Sequence, residues 1–223
     1  MPWKSIFDSL ARVLEGQPLP AVSEVAARLG PLQGPRRAKP FAVLVSTMIS
    51  LRTKDDVTAA ASERLLARAG TPAQLACLSE RTIARLIYPA GFYRTKARHL
   101  RQAGGLLVER HAGRVPDAME DLLALPGVGR KTANLVRNLG FGLDGICVDT
   151  HVHRISTRLG WVRTRTPLET ERALEAVLPR RYWIPVNGLL VAFGQRTCTP
   201  QSPWCSRCPI RKHCARIGVT RSR

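Results

Sequence analysis

Acidic residues are scarce in this sequence. Its 16 Asp and Glu stand against 35 Lys and Arg, so the formal net charge is +19. The imbalance is strongest at the C-terminal end, where no acidic residue follows Glu175. An excess of this size suits a polyanionic partner, because neutralising phosphates releases their counterions. The composition therefore favours nucleic acid as the partner, and a solvated basic face is the alternative.

Long apolar runs are also missing. The N-terminus has no apolar segment of the kind found in signal peptides. The longest apolar stretch, residues 41–51, is far shorter than the roughly 20 residues needed to span a bilayer. No basic amphipathic helix with an aromatic face suggests a membrane surface as partner. We expect a monomer in the cytoplasm, associated with the nucleoid, where cysteines stay reduced and serve as metal ligands or core residues.

Convincing strand signals, tandem repeats and low-complexity segments are scarce too. Aromatic residues make up 5% of the chain, so the core must be built mostly from Ala, Leu, Val and Ile. Helix signals recur throughout, including Thr71 and Thr166, each placed before a proline as an N-cap. Asp117 and Thr95 are predicted to cap two further helices. The sequence predicts an all-α, multi-helix fold.

Four of the six cysteines fall in the last 26 residues, with six, two and five residues between them. The segments between them are polar, basic and rich in proline, which argues against packing in a core. Four thiolates so close in sequence can enclose one zinc ion or one iron–sulfur cluster, and the wide spacing favours the cluster. Cys77 and Cys147 lie in apolar segments and are predicted to be core residues. The predicted metal ligands are Cys198, Cys205, Cys208 and Cys214.

The segment LPGVGRKTAN (125–134) predicts a tight turn between two helices. Gly127 and Gly129 allow positive φ and close backbone approach, so the turn's amides can point at an anion near a helix N-terminus. Lys131, in the first turn of the second helix, is either one more phosphate contact or a nucleophilic amine. A nucleophilic lysine needs a carboxylate partner. Asp149 is the best candidate, although it can also act as the N-cap of the helix that follows it.

Together these features resemble the endonuclease III family of helix-hairpin-helix DNA glycosylases. The resemblance is carried by LPGVGRKTAN, by VDTHVHR (148–154) and by the four-cysteine spacing, in the same order and at similar separations. It extends over nearly the whole chain. It implies a [4Fe-4S] cluster at the four cysteines and a nucleophilic role for Lys131.

The resemblance also implies an architecture and a reaction. A six-helix barrel domain would span residues 33–143, and a cluster domain would combine 1–32 with 144–223, with a DNA-binding cleft between the two lobes. The partner would be double-stranded DNA containing damaged bases or abasic sites. Lys131 would displace an oxidised pyrimidine and cut the strand through a Schiff base, and Asp149 would stabilise charge on the sugar. Phosphate contacts would come from the turn, at Gly127, Val128, Gly129 and Arg130.

Two segments depart from the family pattern. Arg52 stands where glutamine is more familiar, in the segment that fills the gap left by a flipped base, and Phe92 stands where an aliphatic wedge is more familiar. Arginine favours a guanine acceptor, so a mismatch-directed thymine or uracil glycosylase is an alternative. An aromatic wedge can stack between bases, or Phe92 can simply pack. His153 replaces an expected aromatic residue. A non-catalytic protein that recognises damage is the alternative from another functional class.

Overall fold

The computed structural model describes residues 1–16, 20–28 and 38–223, and this part of the chain is helical without any β-strand. The predicted all-α class is confirmed. None of its helices is both long enough and apolar enough to cross a membrane. A π-helical segment, Val136–Phe141, continues directly from the ninth helix. In chain order the α-helices are α1 (Trp3–Leu14), α2 (Ala21–Arg28), α3 (Ala38–Ser50), α4 (Asp55–Arg68), α5 (Pro72–Cys77), α6 (Glu80–Ile87), α7 (Tyr93–His111), α8 (Met119–Leu123), α9 (Arg130–Leu135), α10 (Thr150–Leu159), α11 (Pro167–Val177) and α12 (Pro185–Arg196).

Two of the predicted helix caps are confirmed and two are wrong. The Thr71 and Thr166 side chains accept backbone N–H bonds at the starts of α5 and α11, each followed by proline. Asp117 does not cap α8, because Ala118 occupies the N-cap position. Thr95 lies inside α7, whose N-cap is Phe92 in the left-handed conformation. A left-handed aromatic residue is a rare N-cap, so nothing in the local sequence predicts that α7 starts there.

One compact unit comprises Ala21–Leu143 and contains α2 to α9. Its core is formed by buried aliphatic residues such as Leu44, Leu65 and Leu100. Gly104 lies in the middle of α7, and a Cβ there would come within 3.0 Å of the Pro72 carbonyl oxygen of α5. The absence of a side chain at Gly104 thus allows α5 to approach α7 closely.

The other unit combines Met1–Pro20 with Asp144–Arg223. Four aromatic residues meet where α1 packs against the C-terminal part of the chain. Phe7 stacks on Tyr182 with ring centroids 4.0 Å apart, and Trp3 meets Trp161 edge to face at 5.0 Å. Such pairs add to the burial of apolar area, which explains why residues so distant in sequence form one unit.

The predicted domain boundary between residues 32 and 33 lies outside the described residues. The resemblance places α2 in the cluster domain, whereas in the structure it packs on α3 and α4, within the unit Ala21–Leu143. Its buried side chains Val22 and Ala26 contribute to the core of that unit. The description of this unit as a six-helix barrel stays a prediction.

Candidate functional site

The glycine turn joins α8 to α9, as predicted. Gly127 has φ +77° and is exposed, and a Cβ there would lie 2.7 Å from Nδ1 of His99. Both its conformation and its neighbour therefore require glycine. Gly129 differs, because its φ is −100° and a Cβ there would meet open space. Gly129 is the N-cap of α9. Because glycine has no side chain, it accepts no hydrogen bond from the first amides of the helix through a capping group.

Lys131 and Arg130 occupy the first turn of α9. Arg130 is exposed, Lys131 is half-buried, and Val128 between the two glycines is buried. The Val128 amide donates to the carbonyl of Leu125 at 3.1 Å, which closes the turn. The lysine is thus carried by a helix start whose position is fixed by the turn before it.

Arg52 and Phe92 lie close together on two short segments of the same unit. Both are non-glycine residues with positive φ, +53° and +56° respectively. Phe92 is 62% exposed, so the packing role considered from sequence is not what its side chain does. The Arg52 guanidinium carbon lies 5.6 Å from the centroid of the Phe92 ring, within cation–π range.

Lys96 is the residue that sequence reasoning missed. It lies in α7 with 7% of its surface exposed, and its Nζ donates to the carbonyls of Ile49 and Leu51, both at 2.6 Å, and to Oγ1 of Thr53 at 2.8 Å. Burial lowers the pKa of Lys96 to about 8. A signal was available, because Lys96 falls on the apolar stripe of α7 with Leu100 and Leu107, where a lysine is out of place.

Asp149 is the N-cap of α10. Its Oδ1 accepts from the amides of His151 at 2.8 Å and Val152 at 2.9 Å, so the capping role considered from sequence is confirmed. These bonds fix the orientation of a half-buried carboxyl group. His153, the fourth residue of the helix, pairs through Nδ1 with Oγ1 of Thr170 at 2.6 Å.

The four C-terminal cysteines line one cavity. Burial raises the pKa of Cys208 to about 11, and the other three thiols add to that increase. Burial likewise raises the pKa of Cys214. Thiols brought together this way need a positively charged group among them to be held as thiolates.

Two arginines of α10 donate hydrogen bonds to residues 198–199, where the segment with the four cysteines begins. Arg154 donates to the Cys198 carbonyl at 2.9 Å, and Arg158 donates to the Thr199 carbonyl at 2.7 Å and to the Cys198 sulfur at 3.5 Å. In the part of the chain that the structure describes, no three His, Cys, Asp or Glu side chains converge closely enough to hold a single metal ion. Four thiols around one cavity are a donor set of the kind that binds zinc or an iron–sulfur cluster.

The two remaining cysteines behave differently from each other. Cys147 is fully buried, as predicted for a core residue. Cys77 is exposed, so its prediction as a core residue is wrong. It is the last residue of α5, whose buried face is formed by Pro72 and Leu75.

Comparison with known proteins finds one family and its members along most of the chain. Residues 45–180 match the family described as HhH-GPD superfamily base excision DNA repair protein. The chain is 51% identical over 179 residues to endonuclease III of Thermotoga maritima, covering 80% of this chain and 84% of that protein. It is 42% identical over 217 residues to endonuclease III-like protein 1 of Bos taurus, covering 95% and 70%.

Solved structures give the same result. A trapped endonuclease III–DNA covalent intermediate, an estranged-adenine complex, matches with a TM-score of 0.75 and 33% identity, covering 88% of this chain and 93% of that one. A non-covalent endonuclease III–DNA complex matches with a TM-score of 0.75 and 30% identity, over 93% and 95%. The chain therefore belongs to the HhH-GPD superfamily of base excision DNA repair proteins and, within it, to the endonuclease III family.

Proposed function

We propose that this protein is a bifunctional DNA glycosylase and AP lyase of base excision repair. One observation carries the proposal: Lys131 stands in the first turn of α9, directly after a glycine turn closed by the positive φ of Gly127. Backbone amides at a helix start favour a phosphate, and a lysine beside them is within reach of the sugar attached to that phosphate. The family membership supports the same reaction.

The proposed reaction uses Lys131 as the nucleophile. Its Nζ attacks C1′ of the damaged nucleotide, the bond from C1′ to the base breaks, and the base leaves with the electron pair and takes up the proton that Nζ loses. The sugar ring opens to a Schiff base between C1′ and Nζ. Loss of a proton from C2′ then expels the 3′ phosphate by β-elimination, which cuts the strand on the 3′ side.

Asp149 is proposed to stabilise the positive charge that develops on the sugar and to assist proton movements. Its two bonds from helix amides, at 2.8 and 2.9 Å, support this role because they fix the carboxyl group in place. A preorganised carboxylate stabilises developing charge more effectively than a mobile one. The cap and the catalytic role are thus compatible.

The DNA contacts are proposed to come from two places in the unit Ala21–Leu143. Gly127, Val128, Gly129 and Arg130 would bind the phosphate next to the extruded nucleotide. Arg52 and Phe92 would enter the duplex where that nucleotide has left the stack, since flipping leaves a gap and an unpaired opposite base. The exposure of both side chains supports this role. The partner is double-stranded DNA, and the protein is proposed to act on it as a monomer.

Oxidised pyrimidines are the proposed substrates. A mismatch-directed thymine or uracil glycosylase is the second candidate, favoured by the exposed Arg52 side chain, because arginine pairs well with guanine acceptors. A panel of duplexes with different lesions and opposite bases separates the two. Removal of thymine or uracil opposite guanine, without removal of oxidised pyrimidines, would contradict the first.

A [4Fe-4S] cluster is proposed at Cys198, Cys205, Cys208 and Cys214. When bound, it would cross-link the loop through its iron atoms and hold the four thiols as thiolates. The exposed Arg207, Arg211 and Lys212 on that loop would then lie on a fixed surface that can contact phosphate. Metal analysis of the purified protein tests this: we expect four irons per chain, and one zinc without iron would overturn the assignment.

Borohydride trapping tests the proposed function. Reduction of the Schiff base should give a covalent adduct between wild-type protein and duplex DNA containing an abasic site. Lys131→Ala should give none, whereas Lys54→Ala, which removes an exposed lysine of the same unit, should trap normally. Failure of the wild type to trap on any abasic or damaged duplex would support a non-catalytic DNA-binding protein instead.

A further inference from the structure

The backbone segments that carry Arg52 and Phe92 are held by hydrogen bonds in which neither of these two side chains takes part. The Lys96 ammonium group has three N–H donors, and three oxygens within 2.8 Å accept from it: the Ile49 carbonyl, the Leu51 carbonyl and the Thr53 hydroxyl. These acceptors flank Arg52 on both sides in sequence. The Lys96 side chain therefore attaches the turn that contains Arg52 to helix α7. This helix begins directly after Phe92.

Thr53 and Gly91 complete this arrangement, which we call the clamp (Thr53, Gly91 and Lys96). The Thr53 hydroxyl accepts a second bond, from the Gly91 amide at 3.1 Å. A Cβ on Gly91 would clash with the Arg52 carbonyl oxygen, so only glycine allows the two segments this close. The segment before Phe92 is thus tied to the same hydroxyl as Lys96.

The clamp maintains an unfavourable backbone conformation. Left-handed φ values at Arg52 and Phe92 each oppose the preference of a residue with a Cβ. Such residues persist only where surrounding contacts determine the conformation, and they are concentrated at functional sites. A buried ammonium is also a poor way to gain stability, because desolvation offsets its hydrogen bonds. The arrangement is better explained by positioning than by stability.

We propose that Lys96 is a positioning residue that holds Arg52 and Phe92 as one preformed pair for insertion into the duplex at the damaged nucleotide. The proposal rests on the proposed function. Because the pair is ordered before DNA binds, binding does not have to order two loops separately. The guanidinium stacked over the ring would enter the DNA as a single unit, with Phe92 as the wedge and Arg52 facing the opposite base.

Four variants test the clamp. Lys96→Met keeps the length of the side chain and removes all three donors, and Thr53→Val keeps the shape and removes the hydroxyl. Thr53→Ser, which keeps the hydroxyl, and Lys54→Met, which removes an exposed charge from the same segment, are the matched controls. We expect Lys96→Met and Thr53→Val to lower kcat/KM for base removal from damaged duplexes by about tenfold to a hundredfold. The controls should stay near wild type.

Two further readouts separate positioning from a general defect. Cleavage of single-stranded abasic DNA, which has no opposite base or stacked gap, should be unchanged in Lys96→Met. The losses from Lys96→Met and Arg52→Ala should be less than additive in the double variant, because Lys96 acts through Arg52. Fully additive losses, or a Lys96→Met protein that matches Lys54→Met, would overturn the proposal.

Hydrogen exchange of the free protein keeps this test independent of the reaction. Amides of residues 50–53 and 91–95 should exchange faster in Lys96→Met and Thr53→Val, while those of α10 stay as in wild type. Unchanged exchange in these segments would overturn the clamp even if the enzyme is active. Absence of base removal by wild type on every duplex, with faster exchange in the variants, would instead overturn the proposed function.

Discussion

Gly127 is restricted both by its backbone and by a neighbouring side chain. Its φ of +77° disfavours any residue with a Cβ, and that Cβ would meet the His99 ring at 2.7 Å. We expect Gly127→Ala to lower the free energy of unfolding by at least about 1–2 kcal/mol and to weaken binding to abasic-site DNA, because the turn's amides move. Denaturant titration and fluorescence anisotropy measure the two effects.

Gly129→Ala is the matched control for that substitution. Its φ is already accessible to alanine, and the space around it is open. Its effect on stability should be smaller, about 0.5–1 kcal/mol for replacing glycine by alanine at an N-cap. Equal destabilisation by the two substitutions would contradict the geometry described for the turn.

Lys96 makes the stability of the protein depend on pH in a defined direction. Burial lowers its pKa to about 8 from 10.5, so between these values the unfolded chain holds a proton that the folded chain has lost. The free energy of unfolding must therefore rise with pH across this window. We expect wild type to gain stability relative to Lys96→Met between about pH 8 and pH 10.5. Urea titrations at several pH values measure it, and a constant difference would contradict it.

Helix α10 combines a structural and a chemical role at its N-cap, Asp149. Asn can replace Asp149 as a cap but supplies no carboxylate, whereas Ala supplies neither. Asp149→Asn should therefore unfold at nearly the same denaturant concentration as wild type, and Asp149→Ala should lose about 1 kcal/mol. Both should lose most of the base-removal activity. Full activity in Asp149→Asn would show that the carboxylate matters only as a cap.

The helix starts that were predicted correctly are those that depend on residues adjacent in sequence. The Thr-Pro pairs at 71–72 and 166–167 define helix starts because hydroxyl and ring act on adjacent backbone. The start of α7 was missed because the left-handed Phe92 depends on the clamp, which joins segments about 40 residues apart. The π-helical segment Val136–Phe141 has no comparable signal in the sequence. Non-local contacts, rather than weak propensities, limited the prediction.

The charge of the whole chain gives a further prediction. With a net charge of +19, binding to undamaged duplex should depend steeply on salt, with a slope of about −0.9 per phosphate neutralised. We expect the affinity to fall by at least about a thousandfold between 50 and 200 mM salt if six or more phosphates are contacted. Anisotropy titrations measure the slope. An affinity that is independent of salt would contradict electrostatic binding of the DNA backbone.

Partner class and substrate differ in how far the sequence can predict them. Nucleic acid follows from the charge of the whole chain, and the predicted reaction depends on short motifs around Lys131 and Asp149 together with the family resemblance. The choice of damaged base depends on a few exposed side chains such as Arg52, whose contacts form only with DNA. The free protein therefore defines the reaction better than it defines the substrate.

The clamp grips the turn through backbone carbonyls on either side of Arg52 and through the Thr53 hydroxyl, and it uses no atom of the Arg52 side chain. The side chain at position 52 can therefore be exchanged while the backbone that carries it keeps its place. A library of substitutions there, weighted towards Gly, Asn and Asp for the left-handed backbone, would vary the group presented to the opposite base without changing its support. Such substitutions could change which base opposite the damaged nucleotide the protein recognises.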